Sequence, residues 1–216
     1  MSPYYDHDGI TIYHGDCREI LPLLGPFDLA LSDPPYGVSA RTDNLSSGGR
    51  GKWRVRHDYP PVAGDDQPFD PALILAAARS HVLWGANNYA SRLPDSLFWL
   101  AWDRVTDGTD STNLELAWVN GLDRRSVRIF RHQWCGVRRA SENGARPMHP
   151  TQKPVALMSW CLGFFPEART VVDPYMGSGP VAKACKDRGL RYVGIELVEK
   201  YCELAVGRLA QGVLCP

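Results

Sequence analysis

Apolar residues along this chain recur in two rhythms. Short runs rich in Val, Ile, Leu and aromatic residues occupy 10–13, 27–32, 81–84, 96–102, 170–172 and 191–195, and most break off at Gly, Asp, Asn or Glu. Such runs read as buried strands. Between them lie helical patterns at 18–24, 71–79, 88–93, 155–165, 181–188 and 198–209. Asp70 can cap the second of these, with Pro71 at its first position, and Gly189 stops the fifth. Strand and helix in alternation predict one α/β domain around a mostly parallel, doubly wound sheet. His81 and Trp84, inside a strand pattern, read as packing residues.

The strand at 27–32 ends abruptly in Asp33, Pro34, Pro35 and Tyr36. The two prolines fix their own φ and restrict the residues before them, so a carboxylate, main-chain carbonyls and a ring are aimed with little freedom. Rigid acceptors beside an aromatic face suit a flat base bearing an amino group. The same tetrad reads equally as an Asp-Pro turn with Tyr36 as an anchor. Asp16 follows the strand at 10–13, and a parallel arrangement is expected to bring these two acidic strand ends side by side.

Two stretches lack periodicity. Residues 38–66 hold Arg41, Arg50, Lys52, Trp53, Arg54 and Arg56, and so long an irregular segment is uncommon unless it is a lid or disordered. Basic side chains with an interleaved aromatic suit a nucleic-acid backbone with a base to stack on, although a solvated linker has the same composition. Residues 104–147 contain only short strand-like pieces and a cluster of arginines, 124, 125, 128, 131, 138, 139 and 146, opposed by Glu142. Arginine forks bind phosphate and read guanine edges, so this segment is a candidate DNA reader. The competing reading is a solvated or internally paired face.

Toward the C-terminus, His149, Pro150, Thr151, Gln152, Lys153 and Pro154 lead into a helix pattern, a polar entrance with amide donors able to hold a carboxylate or ribose, or simply an ordinary cap. The strand at 170–172 ends in Asp173, and a Gly177-Ser178-Gly179 turn opens the next helix. Glu196 closes the following strand at the spacing of a ribose-binding acid in a βαβ nucleotide site. The third glycine of the dinucleotide fingerprint is absent, and Asp173 stands where a pyrophosphate would be repelled. A nucleoside carrying a cation, such as S-adenosylmethionine, fits better.

Composition narrows the setting. With 24 basic and 24 acidic side chains in 216 residues, a polyanion must be met by local clusters rather than a global field. The six cysteines show no zinc spacing, so no metal is expected, and they read as reduced thiols. No apolar run is long enough to cross a bilayer, which with the thiols gives a cytoplasmic expectation without membrane partners.

Together DPPY at 33–36, HPTQKP at 149–154 and DPYMGSGP at 173–180 resemble the S-adenosylmethionine-dependent amino-methyltransferases of DNA. The order, catalytic tetrad before cofactor motifs, resembles their circularly permuted β group. The resemblance implies a Rossmann-like methyltransferase sheet, permuted, with a small basic insertion for target reading. The halves would be 1–103, catalytic with the basic loop 38–66, and 148–216, cofactor-binding, around a recognition insertion at 104–147. It further implies Asp33, Pro34, Pro35 and Tyr36 as catalytic, and Asp173, Tyr175, Gly177, Ser178 and Gly179 around the methionine and ribose. Glu196 is implied on the ribose hydroxyls, Asp16 near the adenine, and Thr151, Gln152 and Lys153 at the methionine end. Arg41, Arg50, Lys52, Trp53, Arg54, Arg56, Arg124, Arg125, Arg128, Arg131, Arg138 and Arg139 are the expected DNA contacts. Tyr175 stands where phenylalanine is common, leaving a hydroxyl that needs a partner.

The implied activity is methylation of a flipped adenine at N6 in double-stranded DNA, within restriction-modification, in a prokaryote or phage. Asp at the head of the tetrad leans to adenine; N4 of cytosine is the alternative, ahead of RNA or an inactive DNA-binding module. A recognition segment this small favours a short site or a homodimer that shares the reading. A cognate restriction endonuclease is the further expected partner.

Overall fold

The computed structural model describes residues 2–37, 64–106, 114–135, 138–142 and 152–210, without the side chains of Cys135 and Arg138. Its strands are β1 (Tyr5–His7), β2 (Ile10–His14), β3 (Phe27–Ser32), β4 (Ala78–Trp84), β5 (Phe98–Asp103), β6 (Leu114–Asn120), β7 (Ser126–Arg131), β8 (Trp134–Cys135), β9 (Arg138–Arg139), β10 (Thr170–Asp173) and β11 (Arg191–Glu196). The helices are α1 (Cys17–Ile20), α2 (Ala72–Ala77), α3 (Val155–Leu162), α4 (Pro180–Asp187) and α5 (Glu199–Ala210).

Nine strands form one sheet in the order β1-β2-β11-β10-β3-β4-β6-β5-β7, and β8 pairs with β9 apart from it. From β2 through β4 every pairing is parallel, whereas β6 runs antiparallel to both β4 and β5. Period-two alternation divides the central strands between two cores. Leu29, Leu31, Val82, Trp84 and Val171 face one core with Leu157, Cys161, Ala182 and Ala205 of α3, α4 and α5. Ala30, Leu83 and Val172 face the other with Ile20, Leu21, Ile74 and Phe69. Layers on both faces explain why FDLALS is apolar almost throughout and buried at five of its six positions. This is the doubly wound α/β sheet expected.

Asp28 sets the register at the centre. Its Oδ2 accepts from the amides of Arg169 and Thr170 at 2.9 and 3.0 Å and from Thr170 Oγ1 at 2.9 Å, tying the entrance of β10 to β3. Those backbone donors, Arg169 first, hold the Asp28 carboxyl below the usual range.

The structure corrects several expectations. β2 and β3 are not neighbours, because β11 and β10 lie between them; pairing is decided by burial on both faces rather than by closeness in sequence. The stretch 88–93 forms two 3-10 turns, Ala86–Asn88 and Ala90–Arg92, instead of a helix. The helix expected over 71–79 ends at Ala77, where the chain turns extended and β4 begins. The largest correction concerns 104–147, expected as an insertion: its residues 114–131 supply β6 and β7 to the main sheet. Ala117, Trp118 and Val119 are fully or almost fully buried there, which an appended segment could not provide. Among the described residues of that stretch beyond β7, β8 and β9 form the separate pair.

Candidate active site

Parallel pairing carries four carboxylates to one edge of the sheet. Asp16 follows β2, Glu196 ends β11, Asp173 ends β10 and Asp33 follows β3, in four neighbouring strands. Ligands of open α/β sheets bind outside the carboxyl ends of the strands, the edge these residues occupy.

Asp33 is engaged through both oxygens. Tyr36 Oη donates a hydrogen bond to its Oδ1, and Lys153 Nζ donates to Oδ2 at 2.7 Å. The tetrad is pinned from behind by Asp65, whose Oδ1 accepts from the amides of Tyr36 and Gly37 at 2.9 and 2.8 Å. The Tyr36 ring lies directly on Gly85: a Cβ there would stand 1.9 Å from Tyr36 Cε1, and the Gly85 φ of +69° is one that L side chains rarely adopt.

Lys153 has only 5% of its side chain exposed and also pairs with Glu115 Oε2 at 2.9 Å. Glu115, in β6, is held on its other side by Arg104 Nη1 at 3.1 Å. Burial opposes the charge of Lys153, but Asp33 and Glu115 together outweigh it and hold the ammonium well above its usual range. Burial pushes the Asp33 carboxyl up, against the pull of Lys153.

Beside this pair lies a cleft lined by Asp173, Tyr175, Gly177, Ser178, Gln152 and Met158 among others, with about 390 Å³ of empty space including its open mouth. Asp173 Oδ1 accepts from Ser32 Oγ at 2.6 Å and from the Tyr175 amide at 3.2 Å. Burial pushes the Asp173 carboxyl up to about 7. The turn is closed by Glu196, which accepts from the amides of Gly177 and Val198, each at 2.8 Å; burial raises it in spite of these donors. Gly179 has φ +73° and abuts Ala205, so α4 begins against α5 with no room for a side chain. Ser178 Oγ is buried and has no partner among the described residues. The Tyr175 hydroxyl finds its partner in the Cys17 thiol, and its ring meets Phe69 edge-on at 5.7 Å.

The remaining sequence candidates divide. Asp16 caps α1 and accepts from the Arg18 amide at 2.8 Å while pairing with its guanidinium. Gln152 Nε2 donates to Glu142 Oε2 at 3.0 Å, and the Val155 amide at the entrance of α3 donates to Glu142 Oε1 at 2.9 Å. That amide, expected to serve a ligand, is thus taken within the chain. Arg124, Arg125 and Arg128 are exposed, with Arg124 stacked over Phe98 at 5.0 Å. Arg131 pairs with Asp103 at 2.8 Å, and Arg139 stacks over Trp134 at 4.5 Å. Arg41, Arg50, Lys52, Trp53, Arg54, Arg56, Arg146 and Thr151 lie outside the described residues, as does the Arg138 side chain. The sequence reading overlooked Glu115, Arg104, Asp65, Ser32 and Gly85. Only Glu115 carried a signal, an acid opening an otherwise apolar strand.

A family model described as DNA methylase matches residues 106–207. Among curated proteins the chain is similar to the Type II methyltransferase M.ScaI of Streptomyces caespitosus, 25% identical over 96% of this chain and 84% of the relative. Among solved structures it resembles the M1.HpyAVI–SAM complex, with TM-score 0.57 and 21% identity, covering 93% of this chain and 100% of that one. It also resembles the cytosine-N4-specific PvuII DNA methyltransferase, with TM-score 0.62 and 12% identity over 99% and 90% of the two chains. The sequence and family matches bear out the resemblance to the S-adenosylmethionine-dependent DNA amino-methyltransferases, and the structural ones show the Rossmann-like fold.

Proposed function

We propose that this relative of the DNA amino-methyltransferases moves a methyl group from S-adenosylmethionine to the exocyclic amino group of a base flipped out of duplex DNA, with N6 of adenine as the target. The observation that carries the reading is the adjacency of two sites at one sheet edge: the Asp33 carboxylate after β3, and the glycine turn with its cleft after β10. The neighbouring relatives act or bind in the same class, M.ScaI as a Type II methyltransferase and M1.HpyAVI with bound SAM.

The cleft fits the proposed cofactor. Ser178 Oγ is a buried hydroxyl without a partner among the described residues, and a sulfonium would favour ionisation of Asp173 and Glu196, which burial opposes. In this reading Asp173, Tyr175, Gly177, Ser178 and Gly179 hold the methionine and ribose, Glu196 the ribose hydroxyls and Asp16 the adenine side, with Gln152 and Lys153 at the methionine end. Bound there, the cofactor supplies an activated methyl on sulfur.

The protein's part is geometric and electrostatic. The lone pair of an exocyclic amine is delocalised into the ring, which makes it a poor nucleophile. Asp33 accepts one amino hydrogen and the Pro34 carbonyl the other, so the lone pair is localised and aimed for direct displacement. Extruding the base costs a few kcal/mol, and stacking on Tyr36 returns about 1–3 kcal/mol. Arg124, Arg125 and Arg128, with the basic loop 38–66, meet the phosphates, and the segment around β8 and β9 contributes to target reading. Two copies sharing one site would extend so small a reader.

N4 of cytosine is the second reading, favoured by the match to the PvuII enzyme, whereas the aspartate heading this tetrad favours adenine. Incubation with labelled cofactor and duplex DNA, digestion to nucleosides and mass analysis separates them. N6-methyladenosine is expected; N4-methylcytosine would establish the second reading, and no methylated nucleoside would overturn both. Asp33→Ala is expected to abolish transfer while cofactor still binds, and equal loss of both would remove Asp33 from its role.

A further inference from the structure

The proposed chemistry needs the Asp33 carboxylate as an acceptor, yet each of its two oxygens already accepts a hydrogen bond. Oδ1 receives the Tyr36 hydroxyl and Oδ2 receives the Lys153 ammonium at 2.7 Å. The ammonium is a full cation and a stronger donor than any neutral amine, so an incoming amino group must compete with it for Oδ2. For a target nitrogen to take its place on Oδ2, Lys153 must have another anionic seat within reach that it never has to leave.

Glu115 supplies that seat. Its Oε2 lies 2.9 Å from Lys153 Nζ, and its Oε1 is fixed by Arg104 at 3.1 Å. Arg104 is itself tied to the main chain, its Nε and Nη2 donating to the Trp134 carbonyl at 3.3 and 3.2 Å. Charges therefore alternate along a row, Arg104, Glu115, Lys153, Asp33, and the far end is anchored to the backbone. A lysine with 5% of its side chain exposed cannot swing into water when it is displaced. Leaving it buried and unpaired would cost several kcal/mol.

We propose that Glu115 is a positioning residue: it retains the Lys153 ammonium when the target amino group claims Asp33, so that Lys153 bridges the two carboxylates before the base enters and remains on Glu115 afterwards. The inference rests on the function proposed above. It places base entry under the control of an ion pair that neither the tetrad nor the cofactor turn contains. Among the described residues, the other titratable or charged groups around the bridge are Tyr36, 3.2 Å from Lys153 Nζ, with Tyr89 and Asp173 acting through charge only and Arg104 behind Glu115.

Steady-state methylation of duplex DNA, measured for wild type, Glu115→Gln and Lys153→Met across pH, tests this. With Glu115 neutralised, Lys153 has Asp33 as its one remaining carboxylate. We expect kcat to fall by about 10- to 100-fold, the scale of a misplaced reacting group, while the KM for cofactor stays within about twofold, a ground-state interaction being untouched. The acidic limb of kcat should move to lower pH, because Glu115 no longer opposes ionisation of Asp33. Lys153→Met should move the same limb to higher pH, because the cation that favours the carboxylate is gone. A purely structural role gives no such opposition of sign. Glu115→Asp, which keeps the charge, should leave the limb in place with part of kcat retained; it also serves should Glu115→Gln fail to fold by circular dichroism. An active wild type with unmoved limbs in these variants, or with both limbs moving one way, overturns the proposal alone. A wild type that methylates no DNA overturns the function it rests on, and the proposal with it.

Discussion

Gly85→Ala is the substitution whose effect the structure bounds most tightly, because two separate penalties meet at one atom. The first is conformational: the φ of +69° costs an L residue about 1–2 kcal/mol. The second is steric, since the new Cβ would lie 1.9 Å from Tyr36 Cε1 and 2.1 Å from its Cζ. These are ring atoms, and the ring is tethered by its hydroxyl to Asp33, so it cannot simply rotate away. Overpacking of this kind costs about 1–3 kcal/mol. Together the expected destabilisation is about 2–5 kcal/mol, or roughly 4–20 °C in Tm at 2–4 °C per kcal/mol for a chain of this size. Urea titration and calorimetry read it directly. The steric share is separated by a double-mutant cycle with Tyr36→Ala: removing the ring should recover about 1–3 kcal/mol of the Gly85→Ala loss, and the backbone share should remain. Methyl transfer should fall in both single variants, since each displaces the ring from Asp33. A Gly85→Ala protein melting within a degree or two of wild type, or a strictly additive double mutant, would refute the reasoning.

Three more outcomes follow from the described side chains. Asp173→Asn should be more stable than wild type at pH 8 and about equal at pH 4. The folded carboxyl titrates near 7, so the native state keeps a proton that the unfolded chain loses from pH 4 upward, and wild-type stability declines through that window; parallel urea curves at the two pH values check it. Replacing both Arg125 and Arg128 by alanine should reduce the log–log salt slope of DNA binding by about 2 while base preference is kept, as fluorescence anisotropy would show. Glu196→Gln should weaken cofactor binding in calorimetry and loosen the turn, because two amides, of Gly177 and Val198, share a carboxylate that the amide side chain only half replaces.

How much of this was legible in the sequence depends on range. β3 was read at its observed limits because an apolar run ending in Asp-Pro-Pro is a local signal, and the glycine turn before α4 was equally local. Strand neighbours were not legible. β11 and β10 slot between β2 and β3 through contacts across most of the chain, and nothing in residues 10–33 encodes that. For the same reason 114–131 was read as an insertion: its pieces are short, and only the tertiary burial of Trp118 and Val119 makes them central. In the site, Asp33, Asp173 and Glu196 were found by motif. Glu115 and Asp65 were not, because their partners are Lys153 and the backbone of Tyr36, and such pairings leave no spacing to read.

The clasp of Asp28 on Thr170 has a consequence in time. The strand carrying the tetrad leaves the ribosome 138 residues before its partner β10 begins at Thr170, an interval of roughly 7–28 s at ordinary elongation rates. Throughout that interval β3 can pair with β4 on one side only, and the other edge of FDLALS stays open. A nascent or truncated chain ending before residue 170 therefore presents an adhesive apolar edge instead of a catalytic centre. Synthesis of β10 closes that edge and sets the glycine turn beside the tetrad in a single event.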